Sequence, residues 1–369
     1  MHLIRVTDHS TAREFLNLPY QLNYTQKSAI RSQQKRIKDL VNSKASPLTE
    51  GATECWILAN FRGQTIGRIM AILDQSDSDA KGYFALFECI DHPKAARLLL
   101  EECAQWLNHF GVHHMTGPLN FLSYHHGWLD EDDQSQNATF PMGVQAGFYP
   151  RLFSGLGFQA KVRKKLFRYD TLADAIHPDL REVVNRQSDL ALIIPERGQL
   201  KKTAIEIEHI IAVSESDIPR INAEEIMRWL RQLREVSYQP VICMAYQQEE
   251  PVAVSMITSV PDVRSVNQSY NKFSFWQNLR GSHRLLLELF TCTHRDVDRE
   301  LLSAAFLQQW EQYFERQKHI RYDGLLLLQE TADEATPLPG NPELVHNYYK
   351  FDYQFDQHSW IGTFAKNHF

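Results

Sequence analysis

The sequence predicts an α/β fold made of two tandem domains, and three observations lead there. A hairpin, a long strand and a helix occur twice in the same order. Apolar residues alternate in the strand segments and recur every three or four positions in the helical ones. The length of 369 residues fits two domains at about 100–200 residues each. Apolar residues make up 43% and aromatics 11%, enough for packed cores and too many for intrinsic disorder.

The first copy opens with a hairpin. Two alternating apolar runs, 55–60 and 65–73, are joined at Phe61-Arg62-Gly63-Gln64. Residues 83–89 then read as a strand. A helix follows from His92 to about Gly111, with Ala96, Leu99, Leu100, Cys103, Leu107 and Phe110 on one stripe. The second hairpin surrounds 245–253, and its Ala245 stands 186 positions after Ala59. A strand over 285–293 and a helix carrying Val297, Leu301, Ala305, Trp310 and Phe314 complete the repeat. Phe87 and Cys89 correspond to Phe290 and Cys292 at an offset of 203, so the second copy has an insertion, polar and aromatic, around 262–276. Each copy continues with a strand (114–120 and 323–329), a helix and a closing extended segment. Shared order makes duplication the better explanation of two short matches. The predicted division is 1–172, a connecting helix and linker at 173–188, and 189–369.

Charge and cysteine content exclude several classes of function. With 39 basic and 45 acidic residues the net charge is −6, so no global footprint for nucleic acid is present. No apolar run reaches the roughly 20 residues of a membrane helix, and residues 1–8 lack a signal-peptide pattern. The expected location is the cytoplasm. Five scattered cysteines with no CxxC pair give neither a disulfide frame nor a zinc site, and none lies in a nucleophile's Cys/His frame.

The order of elements, present twice, resembles the GNAT superfamily of acyl-CoA N-acyltransferases, and more closely a group of tandem-GNAT bacterial proteins. The likeness rests on Phe15-Leu16-Asn17-Leu18-Pro19-Tyr20, on 84–89 followed by Asp91-His92-Pro93, and on Thr116-Gly117-Pro118-Leu119-Asn120-Phe121. Phe148-Tyr149, Leu156-Gly157-Phe158 and Pro261-Asp262-Val263 add to it. The resemblance implies a twisted, mixed, mostly antiparallel sheet flanked by helices in each domain. It also implies transfer of an acyl group from an acyl-CoA or acyl-carrier-protein thioester to a small-molecule or lipid-like amine. Acyl-CoA would be a cosubstrate, with no resident cofactor and no metal. A competing reading is a non-catalytic GNAT-like scaffold.

The sequence departs from that family at the phosphate loop. Arg299, Leu301 and Ser303 stand where glycines would let backbone N–H groups close on a pyrophosphate. Only Arg295 and Arg299 offset the nearby acidic residues there.

The resemblance places the second domain's donor site along Phe290, Thr291, Cys292, Thr293, His294, Arg295 and Arg299. Glu288, which interrupts an apolar strand, and Glu330, at the end of the next, are candidate bases. A solvent-facing or salt-bridged carboxylate is the alternative for each. Tyr349, read with Tyr348 as a helical pair, stands where the superfamily places its proton donor; a core tyrosine is the alternative. Tyr124, His125, His126, Trp128 and Tyr149 are expected in the first domain's acceptor cleft. The acidic run 130–133 reads as a solvated loop rather than as ligands for a metal. Basic stretches at 27–38 and 161–168 read as solvated faces.

Overall fold

The structure, a computed structural model, describes residues 1–22, 38, 48, 50–119, 128–129, 146–186, 189–214, 219–236, 238–261, 284–317, 322–330, 338–340 and 342–355. They divide into two compact units. The first takes Met1–Gln136, Met142–Arg163 and Tyr348–Phe369; the second takes Asn137–Pro141 and Lys164–Asn347. Each is a mixed sheet flanked by helices, as the sequence predicts. The units do not follow chain order, because the last strand of each half completes the sheet of the other.

In the first unit, strands β1 (His2–Arg5), β2 (Gly51–Ala59), β3 (Thr65–Asp74), β4 (Lys81–Cys89) and β5 (His114–Leu119) lie side by side in that order. Asp8 accepts the Thr11 N–H at 2.8 Å and starts helix α1 (His9–Leu22). The β2–β3 turn is built on Asn60, whose side-chain oxygen accepts the N–H groups of Arg62 at 2.9 Å and Gln64 at 3.0 Å. Helix α2 (Pro93–Asn108) buries Ala95, Ala96, Leu99, Leu100, Cys103, Ala104 and Leu107; the expected stripe stops there, because the helix ends at Asn108 and Phe110 beyond it is 45% exposed. A short helix α3 (Tyr149–Gly155) adds Phe153, stacked on Phe84 at 5.4 Å.

The closing strand of this sheet comes from the other end of the chain. Strand β13 (Glu343–Gln354) runs antiparallel to β5, pairing Phe351 with Gly117 and Gln354 with His114. Strand β6 (Trp128–Leu129) pairs antiparallel with β13 through Tyr349 and Tyr348. Residues 348–349 are therefore strand, and the helical reading of the tyrosine pair is corrected. Val345, Tyr348, Tyr349, Phe351 and Tyr353 form a β-branched and aromatic run that favours a pleated ladder. Phe351 is fully buried, 5.3 Å from the Phe153 ring.

The second unit repeats the plan. Its order is β7 (Gln159–Tyr169), β12 (Leu325–Glu330), β11 (Arg284–Thr293), β10 (Glu250–Pro261), β9 (Tyr238–Gln247) and β8 (Leu190–Ile193). Strand β12 pairs along its whole length with residues 164–169 of β7, from Leu325–Tyr169 to Glu330–Lys164. Gln248 and Glu249 join β9 to β10 with φ of 52° and 69°, the left-handed pair of a two-residue hairpin turn. Helices α4 (Pro178–Arg186), α5 (Leu200–Val213), α6 (Ala223–Val236) and α7 (Arg299–Arg316) complete the unit.

Both long strands break in the same way. Strand β4 pairs in parallel with β5 through Tyr83–Thr116 and Ala85–Leu119, and β11 with β12 through Leu286–Leu325 and Leu287–Leu326. Beyond these residues each long strand bulges against its hairpin partner, between Ala85 and Glu88 and between Glu288 and Phe290. Leu86 adopts φ of 50° there. Leu86 and Leu289, the bulged residues, correspond at the same offset of 203 as the strands around them. A bulge adds twist and bends its strand, and in the second unit β12 runs on to Glu330 with no further pairing to β11 among the described residues.

Phe351→Ala will lower stability by about 3–5 kcal/mol, read as a fall in the urea midpoint. Hydrogen exchange will quicken in β4 and β5 and remain slow in β10, locating residue 351 in the first sheet.

Candidate active site

Glu288 is the last residue before the bulge in β11, where β12 stops pairing, and its side chain is half-buried. Thr291 donates its hydroxyl to Glu288 Oε1. Ser255 Oγ, on β10, lies 3.1 Å from Thr291 Oγ1 and is itself 1% exposed. A hydroxyl has one proton, so with Thr291 committed to the carboxylate, Ser255 donates to Thr291. The strand thus brings Glu288 and Thr291 together with a buried hydroxyl behind them.

The remaining donor-site residues are placed less openly. Phe290 is 2% exposed and meets the Trp229 ring edge-on at 5.4 Å; Cys292 and Thr293 are also buried. Their side chains are core, so only their backbone is available to a ligand. His294 Nδ1 accepts the Asp296 N–H at 3.1 Å. Arg295 and Arg299 are exposed at the start of α7. That helix start already holds an anion. Asp298 Oδ1 accepts the N–H groups of Glu300 at 3.0 Å and Leu301 at 3.1 Å. In the first unit, Pro93 occupies the first turn of α2 and contributes no N–H.

Other expected residues scatter. Tyr149 is 2% exposed; its hydroxyl donates to Cys89 O at 3.3 Å and accepts from Cys89 N at 3.1 Å, which pins α3 to the end of β4. Tyr349 and Trp128 are cross-strand partners in the first unit, whereas Glu288 belongs to the second. Glu330 ends β12, opposite Lys164. Tyr124, His125 and His126 lie outside the described residues, as does the basic stretch at 27–37. Among the described residues no group of three or more His, Cys, Asp or Glu is placed to hold a metal.

One cluster was not singled out from the sequence. Arg68, in the middle of β3, is 2% exposed and donates to Glu88 Oε1 at 3.1 Å and to Phe15 O at 2.8 Å. Its guanidinium carbon also lies 4.9 Å from the Phe15 ring centre. Burial pushes the Glu88 carboxyl above the usual carboxylate range, and Arg68 offsets only part of that. The signal was available: Glu88 interrupts an apolar strand as Glu288 does, and Arg68 interrupts another.

No family model matches the chain. A GCN5-related N-acetyltransferase from Anabaena variabilis superposes with a TM-score of 0.54 at 8% identity, over 95% of this chain and 72% of that one. A probable N-acyltransferase from Enterococcus faecalis gives 0.54 at 8% identity, over 96% and 72%. The fold is that of the GCN5-related N-acetyltransferases. Within this GNAT fold, the bulged long strands are β4 and β11. In sequence, a bacterial ceramide synthase from Caulobacter vibrioides is 26% identical over 125 residues, 32% of this chain and 33% of that protein. The match spans about a third of the curated relative's length.

Two outcomes test the site's chemistry. All five cysteines are buried, and burial raises the thiols of Cys55, Cys89, Cys103 and Cys243, the last to about 12. Iodoacetamide at pH 8 will therefore leave the native protein unlabelled and label all five after denaturation, counted by mass spectrometry. Glu88 binds its proton more tightly folded than unfolded. Its stabilising effect is complete below the unfolded value near 4.5 and is lost as pH rises through the higher folded value. Denaturation curves will show wild-type stability falling across that window more steeply than in Glu88→Gln.

Proposed function

We propose that the protein is an N-acyltransferase. It moves an acyl group from an acyl-CoA or acyl-carrier-protein thioester to the amine of a small or lipid-like acceptor, by direct attack in a ternary complex. The observation that carries this reading is Glu288 at the point where β11 and β12 part. A thioester lying in that gap would present its carbonyl beside the carboxylate. Glu288 takes a proton from the amine, the nitrogen forms the new bond to the carbonyl carbon, and the C–S bond breaks. Strand N–H groups freed from the parallel ladder are the natural donors to the oxyanion. Thr291 and Ser255 hold the carboxylate in place. The match to a ceramide synthase supports a long-chain amine as acceptor and a long-chain acyl group in the donor.

A second reading draws on the start of α7. Asp298 occupies the amides that a pyrophosphate would need, and its charge repels one. This favours a carrier-protein donor, or a non-catalytic binding protein, over free CoA.

Calorimetry with acetyl-CoA and palmitoyl-CoA side by side separates these readings. Saturable binding of palmitoyl-CoA, lost in Arg299→Glu, supports the CoA donor; binding of neither leaves the carrier protein or the scaffold. With palmitoyl-CoA and a long-chain amino alcohol, thiol release will fall by about 10²-fold or more in Glu288→Gln at unchanged KM. Unchanged release would remove Glu288 as the base.

A further inference from the structure

The duplication supplies an internal control for the turn between β2 and β3. Phe61 at its apex is 91% exposed, and Arg62, Gly63 and Gln64 beside it are exposed as well. The turn does not need the ring. Its shape comes from Asn60, whose backbone oxygen accepts the Gly63 N–H at 3.0 Å and whose side-chain amide donates to Gln64 Oε1 at 3.0 Å. Gly63 supplies the left-handed residue, with φ of 76°. At the offset of 186 the same places hold Gln247, Gln248 and Glu249, followed by Glu250. A phenylalanine held out on a well-bonded turn is therefore a property of one copy.

The helix starts diverge in the same sense. Ile90 N donates to Ile66 O at 3.0 Å, and His294 N to Val252 O at 2.7 Å. Each turn thus lies at the same end of its sheet as the helix start after the long strand. In the first unit that end carries Arg62 and Lys94, both exposed and neither paired with a carboxylate among the described residues. The acidic groups there are engaged, Asp91 by Arg151 at 3.2 Å and Glu14 by the Thr65 hydroxyl at 2.7 Å. In the second unit the turn and helix start expose Glu249, Glu250, Asp296, Asp298 and Glu300 against Arg295 and Arg299. The whole chain carries a net charge of −6, so a basic end does not follow from composition.

We propose that this end of the first unit docks on an anionic lipid bilayer, with Phe61 entering the headgroup region and Arg62 and Lys94 meeting lipid phosphates. One ring on a narrow turn buries far less than the roughly 800 Å² that each partner gives to a stable protein interface. A bilayer needs no matching shape. It takes aromatic rings at its interface and attracts basic side chains beside them. One ring and two charges give reversible docking, well short of a permanent anchor. The inference goes beyond the acyltransfer reading and stands without it, but it would hold the chain where a lipid-like amine is found.

Cosedimentation of the full chain with vesicles tests this without substrate or turnover. Vesicles of phosphatidylcholine alone are compared with vesicles containing about one-third phosphatidylglycerol. The expected result is binding to the anionic vesicles, weak binding to the neutral ones, and release at about 0.5 M salt. Phe61→Ser and Arg62→Glu each lower the partition coefficient about tenfold. Phe61→Trp retains binding, and Ile205→Ser, at an exposed apolar residue of the second unit, leaves it unchanged. Circular dichroism confirms that each variant is folded. No binding to anionic vesicles, or binding that Phe61→Ser and Arg62→Glu leave intact, overturns the proposal. Self-association without vesicles that Phe61→Ser abolishes would assign the turn to a second copy and overturn it as well. Loss of acyl transfer in Glu288→Gln does not alter this readout, and absence of docking leaves Glu288 untouched.

Discussion

Four backbone pairs between His114–Gly117 and Phe351–Gln354 hold the first unit in its form. A parallel strand can be joined to its neighbour only through a crossover, so β5 arrives beside β4 with its far edge exposed. Strand β13 covers that edge. Phe351 then sits against Phe153, and Tyr353 stacks on Phe158 at 4.6 Å, so the strand seals α3 and β5 into one core. Thr116 donates to Asp352 at 2.8 Å and sets the register. In the second unit β7 covers β12 in the same manner over six pairs. With each edge covered, the long strands can bulge without unravelling their sheets.

Much of this was legible in the residues. The two hairpins, both long strands and helices α2 and α7 follow from periodicity and from the repeated order. The strand exchange was not, because pairing between segments more than 150 residues apart leaves no local pattern. Tyr348 and Tyr349 were misread for a related reason: an aromatic pair carries no period of its own, and its state is set by the ladder it joins. Glu288 was found because a charge in Leu287-Glu288-Leu289 breaks an apolar run. Arg68 and Glu88 carry the same kind of mark, but each stands in a different strand. Only the register of β3 with β4 shows that the two charges meet.

The two copies have diverged where chemistry is concentrated and stayed alike where geometry is set. The bulge is kept at Leu86 and Leu289. Around it the polar groups differ: Arg68 with Glu88 in one copy, Ser255, Thr291 and Glu288 in the other. The helix starts differ as well, with proline in one and a capping aspartate in the other. A shared scaffold thus presents two dissimilar polar environments at equivalent points of the sheet.

The origin of β13 also bears on synthesis of the chain. The first sheet is begun by His2–Arg5 and finished by β13, more than 300 residues later in the chain. At about 5–20 residues per second, the interval between making β5 and making β13 is roughly 10–50 s on the ribosome. Through that time the open edge of β5 and the rings of Phe153 and Phe158 await their cover, the kind of surface that chaperones recognise. A product that stops short of residue 348 would have every strand of the first sheet except the one that closes it. Quality control can therefore act on the amino-terminal half of a molecule whose defect lies at the other end.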